Sequence, residues 1–130
     1  MSKKVLVVDD DPDVRLFNTT VVEECGYTPI EAPNGEAGLK LVKKDPPDLV
    51  VLDVLMPKQS GIRLYHELKT DKTLKHIPVI ILSGVAKRTF LRSQKALTAF
   101  GDQPVPEPEN YLEKPVEPEE LAREIKKKLG

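Results

Sequence analysis

Val5-Leu6-Val7-Val8-Asp9-Asp10-Asp11 starts as four consecutive apolar residues and finishes as three consecutive acids. An apolar run with no alternation turns neither face to water. It reads as a strand covered on both sides, the pattern of a parallel sheet sandwiched between helices. In such sheets the ligand site lies beyond the carboxyl ends of the strands. Two further runs lead to charged groups in the same way: Leu49-Val50-Val51-Leu52 ends in Asp53, and Tyr111-Leu112 is followed closely by Lys114-Pro115. Acids and a base at strand ends mark a site before its chemistry is known.

Two more apolar stretches, Val79-Ile80-Ile81-Leu82 and a weaker one at 27–32, bring the expected strands to five. Segments of helical period separate them. Asp11 and Pro12 open a first helix whose Val14, Phe17, Val21 and Cys25 step by three and four residues until Gly26 stops it. Asn34-Gly35 opens a second, carrying Ala37 and Leu41 and ended by Pro46-Pro47. Ser60 is the expected cap of a third with Leu64 and Leu68, and a fourth runs from about Lys87 to Phe100. The last begins near Pro118, spaces Leu121, Ile125 and Leu129 by four, and places Lys126, Lys127 and Lys128 where cations complement the helix dipole. Strict alternation of strand and helix implies an α/β fold of three layers with right-handed crossovers, a (βα)5 chain around a five-stranded parallel sheet. The irregular stretch is Gly101 to Asn110, where Pro104, Pro106 and Pro108 favour an extended, stiff loop.

At 130 residues and 39% hydrophobic, the chain has the size of one domain, able to bury roughly two thirds of its unfolded surface. Twenty basic and 21 acidic residues leave a net charge of −1, which gives no footprint for nucleic acid or an anionic membrane. The basic Met1-Ser2-Lys3-Lys4 precedes an apolar run too short for a signal peptide, and no stretch approaches the roughly 18 apolar residues of a spanning helix. A lone Cys25 has no partner for an intramolecular disulfide. A soluble protein in a reducing cytoplasm is the expectation, with Cys25 as packing.

Strands one and three, if neighbours, lie about 4.8 Å apart and bring Asp9, Asp10 and Asp53 close together. Like charges about 4 Å apart at an effective dielectric of about 20 repel by about 4 kcal/mol per pair. Either a divalent cation sits among them or their pKa values rise. A few carboxylates with water and a backbone carbonyl suit Mg²⁺. Mg²⁺ beside a carboxylate nucleophile is an arrangement for phosphoryl transfer, with Lys114 as a second positive group and Ser83 as a hydroxyl donor.

These residues resemble the receiver domain of two-component response regulators, and most of all its stand-alone, chemotaxis-type form without an output domain. Four ordered elements carry the likeness: Val7-Val8-Asp9-Asp10, Asp53 with Met56-Pro57, Ser83-Gly84, and Lys114-Pro115. The resemblance implies the flavodoxin-like strand order 2-1-3-4-5. It implies Asp53 as phosphoacceptor; Asp9, Asp10, Asp53 and the carbonyl of Leu55 as ligands of Mg²⁺; and Lys114 and Ser83 as phosphoryl contacts. Tyr111 matches an aromatic that changes rotamer together with Ser83. The implied phosphodonor is a sensor histidine kinase or a histidine phosphotransfer protein. The implied output is a downstream protein docked on the face of helix four, strand five and helix five, by a monomer or a phosphorylation-dependent dimer. Residues 1–130 then form one receiver domain that is not an enzyme beyond its own phosphorylation and slow dephosphorylation.

Leu55 and Val85 occupy the positions two after the phosphoacceptor and two after the hydroxyl. Apolar groups there cannot orient a water, so the phosphoryl group is expected to be long-lived. The segment between Ser83 and Lys114 is long for a receiver, and the Gly101 to Asn110 loop is expected to reshape the docking face. His66 is expected on the solvent side of the third helix and His76 at a strand entrance, neither as a metal ligand. Two other readings fit parts of the pattern: a phosphatase resembling the haloacid dehalogenase superfamily, from Asp9-Asp10-Asp11, and a receiver fold serving as an unphosphorylated scaffold.

Overall fold

The computed structural model describes residues 3–54, 59–98 and 110–130. Among them five strands alternate with five helices: β1 (Lys4–Val8), α1 (Pro12–Glu24), β2 (Thr28–Ala32), α2 (Gly35–Lys44), β3 (Leu49–Val54), α3 (Gln59–Thr70), β4 (Val79–Ser83), α4 (Lys87–Thr98), β5 (Asn110–Glu113) and α5 (Pro118–Leu129). The strands are parallel in the order β2-β1-β3-β4-β5. This is the flavodoxin-like order expected from the sequence.

Pleating divides the uniformly apolar runs between two cores. Val5, Val7, Leu49, Val51, Ile80 and Leu82 pack with Val21 and Val22 of α1 and Leu121, Ile125 and Leu129 of α5. Their neighbours Leu6, Val8, Val50, Leu52, Val79 and Ile81 pack on the other side with Val42 of α2, Leu64 and Leu68 of α3, and Phe90 of α4. Covered on both faces, β1, β3 and β4 need no polar alternation.

Local chemistry sets the helix starts that face the site. The Asp11 carboxylate accepts from the amides of Asp13 and Val14 at the head of α1, and Asn34 accepts from Ala37 N at 2.8 Å at the head of α2. Gly26, at φ +89°, lets the chain turn out of α1 into β2.

Three expectations are corrected. Ser60 does not precede α3, which already begins at Gln59. The inward face of α1 carries Asn18, Val21 and Val22, whereas Phe17 is 47% exposed and Leu16 63%. An inward asparagine and two outward apolar residues defeat a reading by hydrophobic period. His66 is buried, not solvent-facing. The cause is that α3 packs against α2 and α4 as well as the sheet, so Leu64, Tyr65, His66 and Leu68 all fall inside its broad buried arc.

Candidate functional site

Register decides which side chains meet at the carboxyl edge of the sheet. Val8 of β1 lies beside Leu52 of β3, so Asp9 and Asp53 are the next residues on two adjacent strands. Asp53 in turn is level with Leu82, and Ser83 lies one step beyond it. The backbone N–H of Lys114 donates to the Ser83 carbonyl at 2.7 Å, which ties the start of the β5–α5 connection to the end of β4.

Asp9 is buried, at 1% exposure, and its two oxygens differ. Oδ1 accepts the Asp11 amide at 2.8 Å, while Oδ2 is buried with no hydrogen-bond partner. Burial pushes the Asp9 carboxyl up from 3.8 to about 7; the Asp11 amide opposes the rise, the Asp53 carboxylate adds to it and Lys114 opposes it more weakly. The Asp9 carbonyl accepts from Arg15 Nη1 at 2.7 Å, so the start of the loop is held as well.

Asp53 is buried between two donors. Lys114 Nζ lies 2.5 Å from Oδ1 as an ion pair, and Asn18 Nδ2 donates to Oδ2 at 3.3 Å. A cleft of about 320 Å³ opens over this carboxylate, lined by Asp13, Val14, Phe17, Asn18, Asp53, Leu82, Lys114, Pro115 and Val116. A small anionic group entering it meets a carboxylate nucleophile with a cation already beside it.

Ser83 is fully buried, and its hydroxyl oxygen accepts the Val85 amide at 3.0 Å, leaving its own O–H to donate elsewhere. The Tyr111 hydroxyl donates to the Val85 carbonyl at 2.8 Å, and its ring packs on Phe90 with centroids 5.6 Å apart. Burial raises the Tyr111 pKa, against a lowering hydrogen bond with Ser83. Ser83 and Tyr111 thus hold the same short loop from two sides.

Asp9, Asp53 and Lys114 converge as the sequence implied, with Ser83 on the adjoining strand. Asp10 stands exposed beside Asp9. Among the described residues no three acidic, histidine or cysteine side chains already form a ligand set. Leu55, Met56 and Pro57 lie outside the described residues, as does most of the Gly101 to Asn110 loop. Two carboxylates, one with an orphaned buried oxygen, still fit Mg²⁺, which commonly takes one or two carboxylates and completes its shell with other oxygens. Asn18 is the contact that sequence reasoning missed. It carried little signal, standing at the head of the polar run Asn18-Thr19-Thr20 between Phe17 and Val21.

The sheet order and the paired strand-end acids define a receiver. The chain belongs to the family described as Response regulator receiver domain, which matches residues 5–126. Family membership sets aside the phosphatase reading. The alkaline phosphatase synthesis transcriptional regulatory protein PhoP of Bacillus subtilis is 33% identical over 126 residues, covering 97% of this chain and 48% of that protein. The phosphate regulon transcriptional regulatory protein PhoB of Escherichia coli is 30% identical, covering 97% of this chain and 51% of that protein. The chain therefore spans about half the length of these curated relatives. The receiver domain of a signal transduction histidine kinase from Syntrophus aciditrophicus superposes with a TM-score of 0.78 at 26% identity, covering 98% of this chain and 90% of that one. The chemotaxis response regulator CheY4 of Vibrio cholerae shares the fold, with a TM-score of 0.77 at 23% identity and coverage of 98% and 99%.

Proposed function

We propose that Asp53 accepts a phosphoryl group from a sensor histidine kinase or a histidine phosphotransfer protein, in a magnesium-dependent reaction, and passes the signal to a downstream protein through the face of α4, β5 and α5. The observation that carries this reading is the Lys114–Asp53 ion pair set beside the orphaned oxygen of Asp9. A carboxylate is a weak nucleophile toward an anionic phosphoryl group unless the charge around it is balanced. Lys114 balances part of that charge and lies close enough to follow the phosphoryl oxygens once they arrive. The Ser83 O–H, which bonds with Tyr111 in this structure, can turn to donate to one of those oxygens. Asp9, Asp10, Asp53 and the Leu55 carbonyl are the groups that would hold Mg²⁺, whose charge offsets the repulsion between carboxylate and phosphoryl oxygens.

Tyr111 and Ser83 are proposed as the switch. A Ser83 hydroxyl drawn toward a phosphoryl oxygen gives up its bond with the Val85 amide, and the loop that Tyr111 also holds must then re-form. Re-formation at the β4–α4 loop alters the edge of the proposed output face. A cytoplasmic site of action agrees with a kinase partner; no helix among the described residues is long and apolar enough to cross a membrane.

Incubation with Mg²⁺ and acetyl phosphate, read by intact mass, tests the proposal. Wild type is expected to gain one phosphoryl group and Asp53→Asn none. An unlabelled wild type would favour the scaffold reading. The phosphorylated form is expected to persist for many minutes, since Val85 has no group to orient water. Val85→Glu should shorten that lifetime, and a wild-type half-life of seconds would contradict it.

A further inference from the structure

A buried asparagine on the inner face of an amphipathic helix needs a reason, because stripping water from a primary amide costs about 1–3 kcal/mol unless its hydrogen bonds are replaced. Asn18 is 2% exposed, buried on α1 with Thr19, Val21 and Val22, and its amide nitrogen donates to Asp53 Oδ2. The other oxygen of the same carboxylate faces Lys114. Two donors on two oxygens fix the carboxylate plane and make its oxygens chemically unequal.

We infer that Asn18 is a positioning residue for Asp53, one that reserves Oδ1 as the oxygen bonded to phosphorus and shortens the life of the phosphorylated state by stabilising the departing carboxylate. This rests on Asp53 as the phosphoacceptor. Oδ1 faces the ammonium group around which phosphoryl oxygens gather, whereas Oδ2 is turned to the buried amide. On phosphorylation, an Oδ1 lone pair bonds to phosphorus, the bond from phosphorus to the donor atom (a histidine ring nitrogen, or the acyl oxygen of acetyl phosphate) breaks, and the donor leaves with that electron pair. Oδ2 becomes the neutral acyl carbonyl oxygen, and its bond from Asn18 drops from charge-assisted to ordinary strength. On hydrolysis, water oxygen bonds to phosphorus and the phosphorus–Oδ1 bond breaks. Its electron pair returns to the carboxylate, and the water protons pass to phosphate and solvent. Negative charge then reappears on both oxygens, and Asn18 is in place to receive its share. The apolar Val85 bears on the attacking water, so its effect is independent of this one.

The two directions respond oppositely to loss of the donor. Removing the amide destabilises the free carboxylate most, the transition state partly, and the acyl phosphate least. Asn18→Leu, and Asn18→Val as a smaller apolar variant, should therefore lose phosphate more slowly by roughly three- to tenfold, the kinetic share of one hydrogen bond to a charged group. Phosphorylation by acetyl phosphate should run at the wild-type rate or faster.

The experiment phosphorylates wild type and both variants with Mg²⁺ and acetyl phosphate, removes the donor, and follows decay by intact mass. Slower decay without slower phosphorylation is the expected result. A merely structural role would slow phosphorylation too. Decay at the wild-type rate, or slowed phosphorylation in both variants, would overturn the inference. Failure of wild type to be labelled at all would instead remove the phosphoacceptor reading on which it stands.

Discussion

Asp9 holds the most perturbed acid of the site, and its ionisation makes the fold sensitive to pH. Its folded pKa of about 7 lies above the ordinary 3.8, so the folded protein keeps a proton that the unfolded chain gives up. Without metal, the stability that Asp9 contributes is therefore fully present below about pH 4 and is lost as pH rises through about 7. Mg²⁺ at the proposed site would reverse the sign, because it rewards the ionised carboxylate. Thermal unfolding is expected to show a larger gain from saturating Mg²⁺ at pH 8 than at pH 5; an equal gain at both would remove Asp9 from the metal site. The acids and Lys114 were legible in sequence because they recur together at or close to the ends of successive apolar runs, although each alone reads as a cap, a turn former or a surface lysine. Asn18 and His66 were not, since helical period tells which residues are apolar and leaves open how wide the buried arc is.

Helix α2 shows how closely an element approaches the sheet beneath the site. A Cβ on Gly38 would stand 3.2 Å from Val8 Cγ2 and 3.3 Å from Leu64 Cδ2, both side-chain methyl groups able to move slightly. Gly38→Ala trades that crowding against about 1 kcal/mol of helix propensity and should lie within about 1 kcal/mol of wild type. Gly38→Leu has no room and should cost about 2 kcal/mol by urea unfolding. Equal stability of the two would show that α2 sits further from β1 than described. The strands and all five helices were readable from runs, caps and prolines. The rotation of α1 was not: Phe17 looks outward at the cleft, Leu16 is exposed, and Asn18 takes an inward place that period assigns to an apolar residue.

For the molecule as a whole, the topology follows from alternation of strand and helix, and the strand order from the family likeness carried by a few residues at strand ends. Net charge and composition say nothing about which proteins the chain meets. The proposed output face includes α4 and β5, between which the Gly101 to Asn110 segment runs in the sequence; apart from Asn110 that segment lies outside the described residues. Replacing that segment by a four-residue turn is expected to change affinity for the downstream protein at least several-fold while leaving phosphorylation by acetyl phosphate intact; unchanged affinity would make it a passive connection.

The central claim is that one carboxylate, Asp53, becomes the acyl phosphate. Borohydride reduction of the phosphorylated protein converts an acyl phosphate of aspartate to homoserine, and peptide sequencing then locates it. Homoserine at position 53 alone is the predicted result; homoserine at 9, 10 or 11, or at no position in a protein that has gained phosphate, would contradict it.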